Sequence, residues 1–199
     1  MNFAVFASGN GTNLQAIINA FKKGKIKAKL SCVVSDNPNA FALKRAKKEK
    51  IKTLIVEPKN FSDRESFDRG VVNLLKKEQI DFIVLAGFMR ILSPFFIQQY
   101  PQKILNIHPA LLPSFRGAHA IKDAFEYGVT TTGVTVHFVD EKVDNGPIIL
   151  QEAVKINPKG TLKTLEKKIH SIEHKIYPHA IDLFARGRIK TSGRKVCIH

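Results

Sequence analysis

An α/β fold is the architecture this sequence predicts: a Rossmann-like, mostly parallel sheet flanked by helices, with an antiparallel portion toward the C-terminal end. Three observations lead there. Apolar runs of strand length alternate with helical patterns through most of the chain. A glycine-rich turn joins the first such run to the first helix. From Gly133 onward the pattern changes to a two-residue alternation, followed by another strand after Gly146-Pro147, as expected of a hairpin-like pair. The 199 residues are 44% hydrophobic and 25% charged, a globular composition. No repeat and no Gly/Ser/Pro-rich linker divides them, so one domain over residues 1–199 is expected.

In order, Asn2–Ala7 is the first apolar run and Asn13–Lys23 the first helical stretch. Leu30–Ser35 reads as a strand, Phe41–Glu49 as a helix and Thr53–Val56 as a short strand. Ser62-Asp63-Arg64-Glu65 fits the capping box S-x-x-E, with Ser62 as the cap. Phe67, Val71, Leu74 and Leu75 then recur on one helical face. Phe82–Ala86 and Lys103–Ile107 are further strands, with Ser93-Pro94 starting a short helix between them. Ala118–Tyr127 reads as a helix stopped by Gly128. Val134, Val136 and Phe138 alternate with Thr135, His137 and Val139, which predicts a half-buried strand. Ile148–Ile156 pairs with it, and Leu162, Leu165, Ile169, Ile172 and Ile176 mark a long amphipathic helix.

Thirty-two Lys and Arg against seventeen Asp and Glu leave a formal charge of +15. Such a balance favours anionic partners in general and selects none. The basic runs Lys22–Lys29, Lys44–Lys50, Lys163–Lys175 and Arg186–Lys195, taken singly, read as solvated helix faces and loop ends. None is interleaved with aromatics in the manner of a single-strand-binding surface. Cys32 and Cys197 form no CxxC pair, which suits a reducing compartment. The start MNFAVFASG lacks a basic n-region, and the apolar run Phe82–Met89 is far short of the ~20 residues that cross a bilayer. A soluble, cytoplasmic domain with no membrane contact is expected.

Candidate functional residues fall just beyond the predicted strands, where open α/β sheets bind their ligands. In Ser8-Gly9-Asn10-Gly11-Thr12-Asn13 two glycines permit a tight turn, and a helix start offers free N–H groups to an anion. No Gly-Lys-Ser/Thr follows, and Leu14 stands where the dinucleotide fingerprint needs glycine, so a ligand-free turn is an equal reading. Asn106-Ile107-His108-Pro109 ends a strand, with Asn106 and His108 projecting to one face. Pro109 keeps His108 extended. A carboxamide donor beside an imidazole suits oxyanion stabilisation and proton transfer at a carbonyl, and a structural histidine is the competing reading. The acidic loop Asp140–Gly146 tunes a histidine or simply solvates a turn. His170-Ser171-Ile172-Glu173-His174 fits H-x-x-E-H on a helix, a zinc pattern for which no third ligand is marked. A basic nucleotide- or RNA-binding module using the glycine-rich loop, and a metal hydrolase built on His170 and His174, thus stand as alternatives to carbonyl chemistry. No partner is apparent for His119, His137, His179 or His199.

Taken together, SGNGTN, LAGFMRIL (Leu85–Leu92), NIHPALLPSFRG (Asn106–Gly117), GVTVHFVDEKVDNGPIILQ (Gly133–Gln151) and EHKIYP (Glu173–Pro178) resemble the glycinamide ribonucleotide transformylases, the folate-dependent formyl-transfer enzymes of purine synthesis. The resemblance runs through nearly the whole chain. NIHP-x-LLP with a downstream D-x-GPII is specific to enzymes that use formyltetrahydrofolate, and methionyl-tRNA formyltransferases carry a different first loop. It implies a phosphate-binding half over roughly residues 1–100 and a folate-binding, catalytic half over roughly 101–199. It implies Asn106, His108 and Asp144 as catalytic, with Asp144 pairing with His108 and favouring its imidazolium. Gly11, Thr12 and Asn13 are implied to hold the ribonucleotide phosphate and Glu173 the ribose hydroxyls, with His170 nearby at a position where the family often has Gln. Arg64, Met89, Arg90, Ile91 and Leu92, Asn106, and the loop residues Asp140, Glu141, Lys142, Val143 and Asp144 are implied to bind folate. The expected ligands are glycinamide ribonucleotide and 10-formyltetrahydrofolate, with no metal and no nucleic acid, in a monomer or homodimer.

Overall fold

The computed structural model describes all 199 residues, Met1–His199. Seven strands form one sheet: β1 (Asn2–Phe6), β2 (Lys29–Ser35), β3 (Lys52–Ile55), β4 (Phe82–Leu85), β5 (Ile104–His108), β6 (Thr131–Phe138) and β7 (Ile148–Lys155). Their order is β3-β2-β1-β4-β5-β6-β7. The first four pairings are parallel, while β5–β6 and β6–β7 are antiparallel. The predicted fold class is the observed one. Helices α1 (Thr12–Lys22), α2 (Phe41–Lys48), α3 (Arg64–Lys77), α4 (Pro94–Gln99), α5 (Ala120–Tyr127) and α6 (Leu162–Ala185) surround it.

Alternation along β1 divides the core. Phe3 and Val5 face a layer with α1, α2 and α6, and Ala4 and Phe6 face α3 and α4. All four are fully buried. At roughly 1.5–3 kcal/mol per buried large side chain, these two layers dominate the favourable side of folding. The long helix is tied down by one polar anchor. Tyr177, without solvent exposure, directs its hydroxyl to the carbonyl oxygens of Leu85 (2.6 Å), the last residue of β4, and Leu105 (3.0 Å), within β5.

Three local readings are corrected. The cap of α3 is Asp63, not Ser62: its carboxylate accepts from the Ser66 N–H at 2.7 Å, and the Ser66 hydroxyl returns to the Asp63 N–H at 3.2 Å. A carboxylate at the positive end of a helix is the better acceptor, and Ser62 is left to donate to Asp63. Strand β6 is buried along both faces rather than one. Thr135 and His137 look outward-facing in sequence but spend their polar atoms on Ala110 and Phe138 carbonyls. A final hairpin, β8 (Ile189–Ser192) with β9 (Lys195–Ile198), is absent from the sequence reading, because its short, Lys-rich, half-exposed strands carry no apolar alternation.

Tyr177→Phe tests the anchor. Leaving two buried carbonyls without this donor should cost roughly 1–3 kcal/mol in denaturant unfolding with an unchanged m-value. Stability equal to that of the parent protein would show that the phenol hydroxyl contributes nothing net.

Candidate active site

The phosphate-type loop is built by close packing. Gly11 caps α1 at φ +72°, and a Cβ there would lie 2.7 Å from the Ala42 Cβ on α2, so both conformation and space require glycine. The Gly9 carbonyl accepts from the Ala42 N–H. Arg45 closes the loop from outside, donating through Nε to the Asn10 carbonyl at 2.8 Å and through its Nη atoms to the Asn10 and Gln15 side chains. The first intrahelical bond runs from the Gln15 N–H to the Gly11 carbonyl. No side chain caps α1, so the amides of Thr12 and Asn13 point outward as donors for an anion.

Glu173 lies beside this loop, buried, with Oε2 accepting from Asn13 Nδ2 at 3.1 Å and from His170 Nδ1 at 2.8 Å. The hydrogen bond that His170 donates to Glu173 raises the His170 pKa above its ordinary value. His174, whose ring stacks on that of His170, is pushed the other way by burial. No group of three or more His, Cys, Asp or Glu side chains converges as a metal-ligand set. Within H-x-x-E-H, Glu173 turns its carboxylate toward the loop.

The second cluster forms where β5 passes between a parallel and an antiparallel neighbour. Register places Asn106 opposite His137 and His108 opposite Thr135. His137 Nδ1 lies 2.7 Å from the Phe138 carbonyl, which fixes a proton there and leaves Nε2 as an acceptor for Asn106 Nδ2 at 3.1 Å. That bond orients the Asn106 amide. Its other N–H points to Asp144 Oδ1 at 3.4 Å, a long contact open to exchange. Asp144, at φ +47°, accepts from the Gly117 N–H at 2.9 Å and sets Oδ2 3.3 Å from His108 Nδ1.

Both nitrogens of His108 face acceptors, since Nε2 lies 2.7 Å from the Phe115 carbonyl. Only the imidazolium satisfies both. Yet the residue is 4% exposed, and burial lowers its pKa below the ordinary 6.5, outweighing the upward pull of Asp144 and Phe115. The expectation that Asp144 favours the imidazolium is thus corrected in its net result. The carboxylate acts in the expected direction, and desolvation wins. Asp144 itself keeps a pKa below the usual carboxylate range: burial opposes its charge, but His137, the Gly117 N–H and His108 together prevail.

A cleft of about 410 Å³ opens on this cluster. Met89, Arg90, Ile91 and Leu92 form one side and Asp140, Glu141, Lys142, Val143 and Asp144 the other, with Asn106 and His108 at the base. Arg64 is not part of its lining; it stands exposed at the start of α3. His137 is the participant the sequence reading missed, its partner Asn106 lying 31 residues away across an antiparallel register. Asn145 is another. Its side chain bridges Asp140 (2.7 Å) and Arg116 (3.2 Å), and its carbonyl accepts from Arg194 of the final hairpin at 2.6 Å.

The sheet, the loop and the Asn–His–Asp cluster define the class, and comparison with known proteins gives the family. The sequence profile of the formyl transferase family matches residues 1–181, and the chain belongs to that family. It is 43% identical over 179 residues to phosphoribosylglycinamide formyltransferase of Bacillus subtilis, covering 90% of this chain and 92% of that one. It is 44% identical over 195 residues to the trifunctional purine biosynthetic protein adenosine-3 of Gallus gallus, where it spans 98% of itself but 19% of the relative. Among solved structures, glycinamide ribonucleotide transformylase 1 from Symbiobacterium toebii superposes with a TM-score of 0.97 at 42% identity, over all of this chain and 93% of that one.

Histidine titrations check the electrostatics. By NMR, His170 should titrate above 6.5 and fall in Glu173→Gln, because the neutral amide no longer stabilises the cation. The pairing contributes stability below 6.5, the unfolded value, which is lost as pH rises through the raised folded pKa. His108 should titrate below 6.5 and lower still in Asp144→Asn, with stability lost as pH falls from 6.5 toward that depressed value. A His108 titration unmoved by the substitution would mean that Asp144 does not act on it through charge.

Proposed function

We propose that the protein transfers the formyl group of 10-formyltetrahydrofolate to the amine of glycinamide ribonucleotide, a step of de novo purine biosynthesis in the cytoplasm. The observation that carries the reading is the shared contact of Asp144 with Asn106 and His108 at the base of the cleft. The names of relatives identical at 42–44% over nearly the whole chain point to the same reaction. No helix is long and apolar enough to cross a membrane, and both cysteines are free thiols, as a reducing compartment allows.

The substrate phosphate sits on the Gly11, Thr12 and Asn13 amides, with His170 adding charge below its raised pKa. Glu173 binds the ribose hydroxyls, exchanging its bond to Asn13 for them. The pterin of the folate enters the cleft between Met89–Leu92 and Asp140–Asp144, where apolar walls suit a flat ring and loop groups suit its polar edge. Residues 1–100 supply most of the phosphate site and residues 101–199 the catalytic groups. The division is crossed in both directions, by Met89–Leu92 and by His170 and Glu173.

The neutral amine attacks the formyl carbon, and the carbonyl electron pair moves to oxygen. The oxyanion accepts from Asn106 Nδ2, which turns its second N–H away from Asp144. It also takes the place of the Phe115 carbonyl on His108 Nε2. Added negative charge raises the His108 pKa from its depressed resting value, so the ring takes up a proton, and Asp144 accepts the Nδ1–H of the imidazolium. The proton the ring takes up is the one the attacking nitrogen loses; the ring passes it on to N10 of the folate as the C–N10 bond breaks and the oxyanion collapses to the amide carbonyl, and His108 returns to its neutral form. Preorganised donors of this kind act where charge develops and account for most of the rate.

Purified protein should form formylglycinamide ribonucleotide and tetrahydrofolate with a metal chelator present. Asn106→Ala should lower kcat by about 10²–10³, the usual cost of one oxyanion donor. Glu173→Ala should act mainly on KM for the ribonucleotide. Turnover that requires added zinc, or near-normal kcat in Asn106→Ala, would overturn this assignment.

A further inference from the structure

The basic charge is distributed unevenly over the fold. Residues 20–50, on the α1–α2 side of the sheet, hold ten Lys or Arg and two acidic residues. Residues 57–81, which cover the opposite face, hold five Lys or Arg and six acidic residues. Within the basic layer, α1 and α6 border a groove of about 660 Å³, larger than the catalytic cleft and separate from Asn106, His108 and Asp144. Its small side chains, Ala16, Ala20 and Pro178, leave room, and polar groups supply nearly all the rest. That lining suits an anion and not an apolar ligand.

The charges in the groove are not balanced internally. Lys22 beside it pairs with Glu49, but Lys23 and Lys25 have no carboxylate partner. The Arg45 guanidinium meets Asn10, Gln15 and the face of the Phe41 ring, all without charge. Lys175 has an exposed contact with Glu152 at 3.6 Å, and the one acidic residue lining the groove, Asp182, is taken by Arg186 at 2.7 Å and the Lys27 N–H. At the same end as Arg45, His174 holds a buried Nε2 with no hydrogen-bond partner. A phosphomonoester, with at most two charges, leaves this cluster under-neutralised. The groove follows α1 from Thr12 to Lys23, about 16 Å at the helical rise. That is the scale of a nucleoside triphosphate.

We propose that the groove between α1 and α6 is a second anion site that binds an organic polyphosphate of nucleoside triphosphate size. Lys23, Lys25 and Lys175 pair with the phosphates, and Arg45 faces them at the Thr12 end. Because Thr12 also belongs to the phosphate loop, an occupant reaching it excludes the ribonucleotide phosphate; this consequence alone rests on the function proposed above.

Calorimetric titration of the folate-free protein with ATP, tripolyphosphate and AMP, at a fixed ionic strength of about 0.15 M to screen diffuse attraction, tests the site. Saturable 1:1 binding of ATP is expected, weaker by about tenfold for AMP. Binding of tripolyphosphate as tight as ATP would place the recognition in the phosphates alone, within the same site. The combined Lys23→Gln, Lys25→Gln and Lys175→Gln protein should bind ATP about tenfold more weakly or worse, with kcat and ribonucleotide KM unchanged. ATP binding that survives the triple substitution, AMP as tight as ATP, or no saturable binding would overturn the proposal. In assays ATP should raise the ribonucleotide KM without lowering kcat. Groove binding without that competition leaves the site standing and counts against placing the ribonucleotide on the loop.

Discussion

The site depends on the position of β5. This strand is the one at which the sheet changes sense, parallel to β4 on one side and antiparallel to β6 on the other. A strand so placed ends at the carboxyl edge of the parallel set, where ligands enter α/β sheets. The antiparallel register with β6 sets His137 opposite Asn106, and the loop after β6 turns back to deliver Asp144 to the same residues. Tyr177 fastens α6 to the last carbonyl of β4 and to one within β5, and that helix carries Glu173 toward the phosphate loop. Both halves of the site are therefore referred to one strand, β5.

At that strand end burial and charge are set against each other. His108 is surrounded by acceptors that only its cation satisfies, yet is desolvated enough to resist protonation. Two opposing effects act on one ring, and burial is the larger. An added negative charge within a few ångström is the kind of perturbation that reverses that order. Asp144 stays ionised through the same network, which lets it receive the charged ring without itself taking the proton. His137 has the quieter task of fixing which way the Asn106 amide points.

What could be read from the sequence was what local chemistry determines. The parallel strands, the Ser93 cap and the Gly128 stop announce themselves within a few residues, as did the pairing of Asn106 and His108 on one strand face. Features that depend on distant partners were not legible. The clamp of Ala42 and Arg45 on the loop joins residues about thirty apart through helix packing, and the Asn106–His137 bond depends on a register interrupted by a bulge after Val136. Thr135 and His137 were read as solvent-facing because polarity in a strand looks the same whether it meets water or a buried carbonyl. The direction of the Asp144 effect on His108 was accessible from charge alone, but the desolvation that outweighs it follows only from the packed structure.

The central claim is that His108 is neutral at rest and becomes the imidazolium when a tetrahedral oxyanion replaces the Phe115 carbonyl. The most direct measurement is ¹⁵N NMR of the His108 ring at neutral pH, free and in complex with a folate analogue whose formyl group is replaced by a hydrated, tetrahedral carbonyl, with the ribonucleotide bound. The account predicts one protonated ring nitrogen in the free protein and two in the complex, with the Nε2 proton on the ligand oxygen. A ring that remains neutral in the complex, or is already doubly protonated without ligand, would contradict it.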